Sequence, residues 1–531
     1  MPDTDKYVLA VDLGTSGCKT ALVSLHGKVA GWEFEPVATQ LLPNGGAEQD
    51  PEAWWSAFIE TAGRLLAQGI VPPEHVVAVC CSTQGEGTIP VDAAGEPLHP
   101  CVLWMDTRGV DHLKKTTRGL VNIAGYDAAK LFRWIRLTGG APSLTGKDPA
   151  AHMLLIKHEF PEIYAKTSKF LNVPDFMNLR LTGRIAASVD SIMTSWVTDN
   201  RDSSQITYSD VLVRGSGIPR DKFPDIVPCS EIIGTLRTRV ADALGLPHGV
   251  PVVAGSIDTT AAAVGSGAVR DFEAHLYIGT SSWLAAHVPF KKTDLFSSIA
   301  SLPCAVPNRY LMTALQATAG GNLTFLRDKI LYHKDELLAE AQTPDVYKIM
   351  DRIVEKTPPG SNGVIFSPWS YGERSPVDDP YIRAAIHNLS LDNSREDIIR
   401  AFFEGIAFNS RWLLGPVERF LGRRLDTITL VGGGANSDVW CQIFADVMNV
   451  PVRQLADPIQ VNVLGAAFIA FVGLGLIRYE DIPRIVHYKR TYSPRPDTRD
   501  IYDRYFREFI ELYKKNKAIY HRLNKRRAQS R

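Results

Sequence analysis

The chain has 531 residues, and its 58 Lys and Arg balance 58 Asp and Glu, so the formal net charge is zero. Balanced charge argues against a general nucleic-acid binder, which carries a basic domain, and 45% hydrophobic with 22% charged residues excludes a disordered or fibrous chain. No segment stays apolar for the roughly 18–20 residues of a membrane span. The length points to two or three domains, because single cores stop growing beyond about 250–300 residues. Seven scattered cysteines without a C-x-x-C pair and a start at Met1–Tyr7 without a secretory pattern fit a reducing, cytoplasmic setting.

The first strong element is the apolar run Tyr7–Val11, a strand that breaks at Asp12-Leu-Gly-Thr-Ser-Gly-Cys-Lys19 and resumes as Thr20–Leu25. Strand, glycine-containing turn and strand make a hairpin. Val76–Cys80 reads as a buried strand, the stretch from Pro161 to Leu181 as one helix ending at Thr182-Gly183, and Pro251–Ala254 as another strand. A second hairpin follows: Ala274–Ile278, the turn Gly279-Thr-Ser-Ser282, then Trp283–Val288. Both bends carry Gly-Thr-Ser, a self-similarity that suggests a duplicated architecture. Ser394, with an acidic residue three positions on, is the expected cap of a long helix through Ala407. Strand Ile428–Val431, a triple glycine and helix Asp438–Val447 come next. Strands and helices alternate in both halves, which is the α/β class. From Tyr502 onward, Tyr505, Phe509, Leu512, Ile519 and Leu523 fall near helical spacing, and Lys525, Arg526 and Arg527 supply a basic, solvated end.

Four groups of residues carry candidate chemistry. The turn with Gly14, Thr15, Ser16 and Gly17 gathers backbone N–H groups and hydroxyls that can cradle phosphate. Asp12 is an oxygen ligand of the kind a hydrated Mg²⁺ takes, and Lys19 adds positive charge. An ordinary turn would use the same residues; the second turn at Gly279-Thr280 favours two phosphate loops facing one triphosphate. Asp258 begins a small-residue helix whose dipole favours its ionised form, as a base accepting a hydroxyl proton requires; a simple helix cap is the plainer alternative. Gly432-Gly-Gly-Ala-Asn-Ser437 lets a ligand approach the backbone, but it is not a G-x-G-x-x-G dinucleotide motif. A Walker A loop is also missing, since Gly140 to Lys147 has one residue too many and continues with Asp148. Finally, Gln84, Glu86, Trp104, Asp106 and Arg108 offer amide, carboxylate, indole and guanidinium groups suited to a polyol, although surface polarity around a core Trp would look alike.

Together these segments resemble the FGGY family of carbohydrate kinases over nearly the whole chain. Val11–Gly17 and Tyr277–Ser281 are similar to its two phosphate motifs, and Gly432–Asp446 to its adenosine motif and C-terminal signature. Glu48–Trp55, Asp175–Gly183 and Gly372-Glu-Arg-Ser-Pro376 also resemble family segments.

The resemblance implies two actin-like (ribonuclease H-like) domains around an interdomain cleft, with limits at residues 6–258 and 265–500 and a terminal helix at 501–531. It implies ATP and Mg²⁺ as cofactors. Asp258 would be the catalytic base and Asp12 the residue beside the metal; Gly14, Thr15, Ser16, Lys19, Gly279 and Thr280 would flank the phosphates. Gly433, Gly434 and Asn436 would flank adenine and ribose, while Gln84, Glu86, Trp104 and Asp106 would join Asp258 around the acceptor. The pattern is nearest the xylulose kinases of the family, notably at Leu103–Arg108. Gln84-Gly-Glu-Gly87 departs from them toward the glycerol kinase pattern, Thr259 stands where Asn is usual, and His152–Leu155 replaces the usual Lys-Leu-x-Trp. The expected reaction is phosphorylation of a ketopentose such as D-xylulose, with ribulose, glycerol or a tetritol as other acceptors and a sugar-sensing pseudokinase as the rival of another class. Expected partners are a small-molecule sugar or polyol and ATP, with no nucleic acid or membrane and with a homodimer as an open assembly state.

Overall fold

The computed structural model describes residues 6–331 and 345–529, without the side chains of residues 526–529. The Met1–Asp5 start and the Arg526 and Arg527 side chains, both named above, lie outside the described residues.

The first half is built on a six-stranded sheet. Its strands are β1 (Tyr7–Gly14), β2 (Gly17–Ser24), β3 (Val29–Pro36), β4 (Val76–Thr83), β5 (Ile232–Thr235) and β6 (Pro251–Ile257), in the order β5-β6-β4-β1-β2-β3. The antiparallel meander β1-β2-β3 is extended by β4 and β6 running parallel to β1. Parallel strands cannot be joined by tight turns, which is why the chain leaves for helices such as α1 (Pro51–Ala67) and α2 (Val173–Thr182). Apolar residues on β1, β4 and β6 pack against Trp54 and Phe58 of α1 and Phe176 of α2 to form one core.

The same plan recurs downstream of α3 (Asp258–Gly265). An eight-stranded sheet comprises β7 (Ala274–Ile278), β8 (Ser282–Val288), β9 (Thr293–Asp294), β10 (Ile299–Pro303), β11 (Tyr310–Gln316), β12 (Ile428–Val431), β13 (Val452–Leu455) and β14 (Tyr488–Tyr492). Its centre β11-β8-β7-β12-β13 repeats β3-β2-β1-β4-β6, with the meander antiparallel and the last two strands parallel. The duplicated hairpins read from the sequence are therefore the first two strands of two equivalent sheets. The long helix α4 (Arg395–Leu421) is capped as expected, with Ser394 and Asp397 forming a reciprocal capping box.

A third core joins the halves. Helix α6 (Val461–Gly473), which follows α5 (Asp438–Met448), packs with α3 against β1 and β4. The crossing is tight because it passes through two glycines: a Cβ on Gly465 would stand 1.9 Å from the Ala261 carbonyl oxygen, and one on Gly265 1.9 Å from that of Val461.

Two expectations change. The single helix over 161–181 is instead a short helix Pro161–Lys166, a strand Lys169–Leu171 and α2. Pro174 cannot continue a helix arriving from upstream, and Asn172 with Asp175 caps a new one. In the terminal helix α7 (Arg499–Gln529), Tyr502, Phe509 and Tyr513 are buried, whereas Ile519 and Leu523 are 44% and 66% exposed. Among the described residues, no helix is long and apolar enough to cross a membrane.

Candidate active site

Asp12 of the first hairpin, Tyr277 of the second and Asp258 at the start of α3 lie within electrostatic reach of one another. Asp12 lies near the end of β1, and its Oδ1 accepts a hydrogen bond from Asn462 Nδ2 of α6 at 3.1 Å. Its Oδ2 is 3.9 Å from Lys19 Nζ. Burial raises the Asp12 pKa, and Lys19 and Asn462 oppose that rise. Asp258 stands in the first turn of α3, with Oδ1 accepting from the Thr259 N–H at 2.7 Å. Burial, and then the negative charge of Asp12, push its pKa up to about 7. The helix dipole, expected to keep Asp258 ionised, is outweighed because desolvation of a carboxylate costs more than a helix terminus returns.

The second hairpin closes on the same point. Tyr277 feels both Asp12 and Asp258, and the Gly279 and Thr280 carbonyls accept from the amides of Ala319, Gly320 and Gly321. That leaves the exposed Thr280 tip facing outward on a braced turn. The Gly432 turn lies against β7: its φ is +85° and a Cβ there would meet the Ile278 carbonyl oxygen at 2.7 Å. Gly433 and Asn436 are exposed beside it.

The acceptor-side residues fare unevenly. Gln84 is fully committed to protein: its Oε1 accepts from Thr15 Oγ1 at 2.7 Å and its Nε2 donates to Gln49 Oε1 at 2.8 Å. Trp104 Nε1 donates to Thr15 Oγ1 at 3.0 Å while the indole stays 37% exposed. Gln49 also accepts from Trp54 Nε1 at 3.0 Å and donates to the Thr15 carbonyl at 2.7 Å. Gln84 thus fixes the first hairpin turn. Asp106 departs further from expectation, being 0% exposed with its oxygens taken by the Ala47 and Arg108 amides and the Arg108 guanidinium. Lys19 donates to the Ile459 carbonyl at 2.6 Å, joining the halves. Replacing Gln49 by Leu leaves the Trp54 and Gln84 donors buried without partners. A loss of about 1–3 kcal/mol is expected in denaturant unfolding.

Glu86, at φ +62°, lies within electrostatic reach of Asp258. Burial, followed by the neighbouring Asp148, raises its pKa to about 8; Asp258 adds to the rise, and Arg374 and Lys147 counter it. Lys147, Asp148, Arg374 and Asn462 were not recognised as site residues from the sequence. For Asn462 no local signal existed, whereas Lys147-Asp148 and Gly372–Pro376 were visible as motifs without a place.

The sequence profile of the FGGY carbohydrate kinases, N-terminal domain, matches residues 7–265, and that of the C-terminal domain matches residues 274–474. The chain belongs to the FGGY family of carbohydrate kinases. This sugar kinase is 27% identical over 528 residues to a xylulose kinase of Staphylococcus epidermidis, covering 97% of this chain and 98% of that one. It is 24% identical to a gluconokinase of Bacillus subtilis, covering 95% of each chain. The crystal structure of a ligand-bound xylulose kinase from Lactobacillus acidophilus shares the fold, with a TM-score of 0.82, 23% identity, and coverage of 98% of this kinase and 100% of that chain.

Proposed function

We propose that this FGGY kinase transfers the γ-phosphoryl group of ATP to a hydroxyl of a ketopentose such as D-xylulose, at a cleft between domains spanning 6–258 and 265–500. The observation that carries the reading is the convergence of Asp12, Asp258 and Tyr277 between two equivalent hairpins. The full-length likeness to a xylulose kinase supports the acceptor. Asp258 takes the proton of the attacking hydroxyl as the oxygen–phosphorus bond forms and the bond to ADP breaks. Gly14, Thr15, Ser16, Gly279 and Thr280 present amides to the phosphates, Ser16 and Thr280 add hydroxyls, and Gly433, Gly434 and Asn436 border the nucleoside.

Asp12 suits Mg²⁺ held mainly by water and phosphate, because Asn462 Oδ1 beside it is a buried acceptor without a partner. Among the described residues no group of three or more His, Cys, Asp or Glu could hold a metal alone. When bound, the ion supplies positive charge to the phosphate oxygens.

A coupled ADP-release screen over pentuloses, hexuloses, gluconate, glycerol and tetritols tests the reading. The highest kcat/KM is expected with a pentulose; no ADP release with any acceptor, while ATP and sugar still bind, would favour the pseudokinase instead. In the same assay Glu86→Gln is expected to change the ranking of acceptors while moving the KM for ATP less than threefold. An unaltered ranking would place Glu86 outside the pocket.

A further inference from the structure

The segment Gly372-Glu-Arg-Ser-Pro376 has no role in the mechanism above, yet it is among the most firmly held loops in the C-terminal half. Buried Glu373 accepts from the Ala317 and Arg374 amides at 2.8 and 2.9 Å and from Asn409 Nδ2 of α4 at 2.6 Å. Ser375 Oγ donates to the Ser297 carbonyl. Glu373 and Asp379 exchange backbone hydrogen bonds, and the Asp379 carboxylate is met by His521 Nε2 of α7 at 3.0 Å. What this bracing presents is Arg374, an exposed guanidinium with no hydrogen-bonded side-chain partner among the described residues.

Across the cleft, Glu86, Lys147 and Asp148 of the N-terminal half all lie within electrostatic reach of Arg374. Lys147 also makes no hydrogen bond among the described residues. It is held in place by Asp148, whose Oδ2 accepts from the Ser143 amide at 2.5 Å and from Trp196 Nε1 at 2.6 Å. Two unspent cations on rigid supports, from opposite halves, are built to bind something that enters between them. Glu86, Asp148 and Asp378 lie within electrostatic reach of Arg374, and Glu86 also within reach of Lys147. The donors and acceptors together suit hydroxyl groups.

We propose that Lys147 and Arg374 bind the acceptor's hydroxyls from the two halves of the cleft. This rests on the kinase reading above. With the preferred pentulose, Arg374→Gln and Lys147→Met are each expected to raise the acceptor KM by roughly 10–100-fold, as loss of a hydrogen bond to a charged group does. The KM for ATP should stay within threefold, and Arg374→Lys should recover part of the loss. Unchanged acceptor KM in both variants overturns the proposal while leaving the kinase reading standing. Absence of any carbohydrate-dependent ADP release overturns the kinase reading and this proposal with it.

Discussion

Asp258→Asn is expected to lower turnover by about 10²–10⁴-fold, the range for removing a positioned general base, with nucleotide affinity preserved. The amide keeps an oxygen for the Thr259 N–H but has no basic lone pair for the hydroxyl proton. Near-normal turnover of this variant would remove Asp258 from the chemistry. The parent kinase should show kcat/KM for the acceptor rising with pH through about 7, since Asp258 is ionised only above that value. Stability should run the other way. A carboxyl whose folded pKa exceeds its unfolded value of 3.8 favours the fold while protonated, and that contribution fades as pH rises through about 7. Asp258→Asn cannot ionise, so its thermal midpoint relative to the parent should be higher at pH 8 than at pH 5.

Gly465→Ala is expected to cost about 1–3 kcal/mol of stability, as overpacking a tight contact does, and to lower turnover as well. The added methyl would sit 1.9 Å from the Ala261 carbonyl oxygen, so α3 and α6 must separate. Both site carboxylates depend on that crossing: Asp258 is carried by α3, and Asp12 is held by Asn462 of α6. Gly265→Ala meets the same obstacle from the other helix. Because the two share one contact, the double variant should lose less than the two single losses added together. Denaturant unfolding and steady-state kinetics read both effects; unchanged turnover in a destabilised Gly465→Ala would separate the crossing from the site.

Much of the fold was legible because its signals are local. A Gly-Thr-Ser bend between apolar runs marks a hairpin at both places where this chain has one, and Ser394 with Asp397 marks a helix start. The failure over 161–181 was local too: Pro174 behind Asn172 announced a break that apolar spacing concealed. The candidate site was legible in part. Asp12, Asp258 and Tyr277 of the second hairpin are brought together, and the Gly432 turn lies against that hairpin, since each lies in or beside a strand or at the start of a helix in a repeated topology. Asp106 and Gln84 were misplaced because nothing in their neighbouring residues says whether a polar side chain faces a ligand or another side chain.

The sequence by itself therefore determined the family, the duplicated α/β plan and the positions of the two glycine-containing turns. Only the tertiary structure decided which charged groups share the cleft. It brought Arg374 and Lys147 to Glu86, set Asn462 on Asp12, and raised Asp258 to about 7. The physical reason is that burial and charge–charge interaction act through space. They depend on which distant segments are packed together, and residue spacing along a chain carries no measure of that.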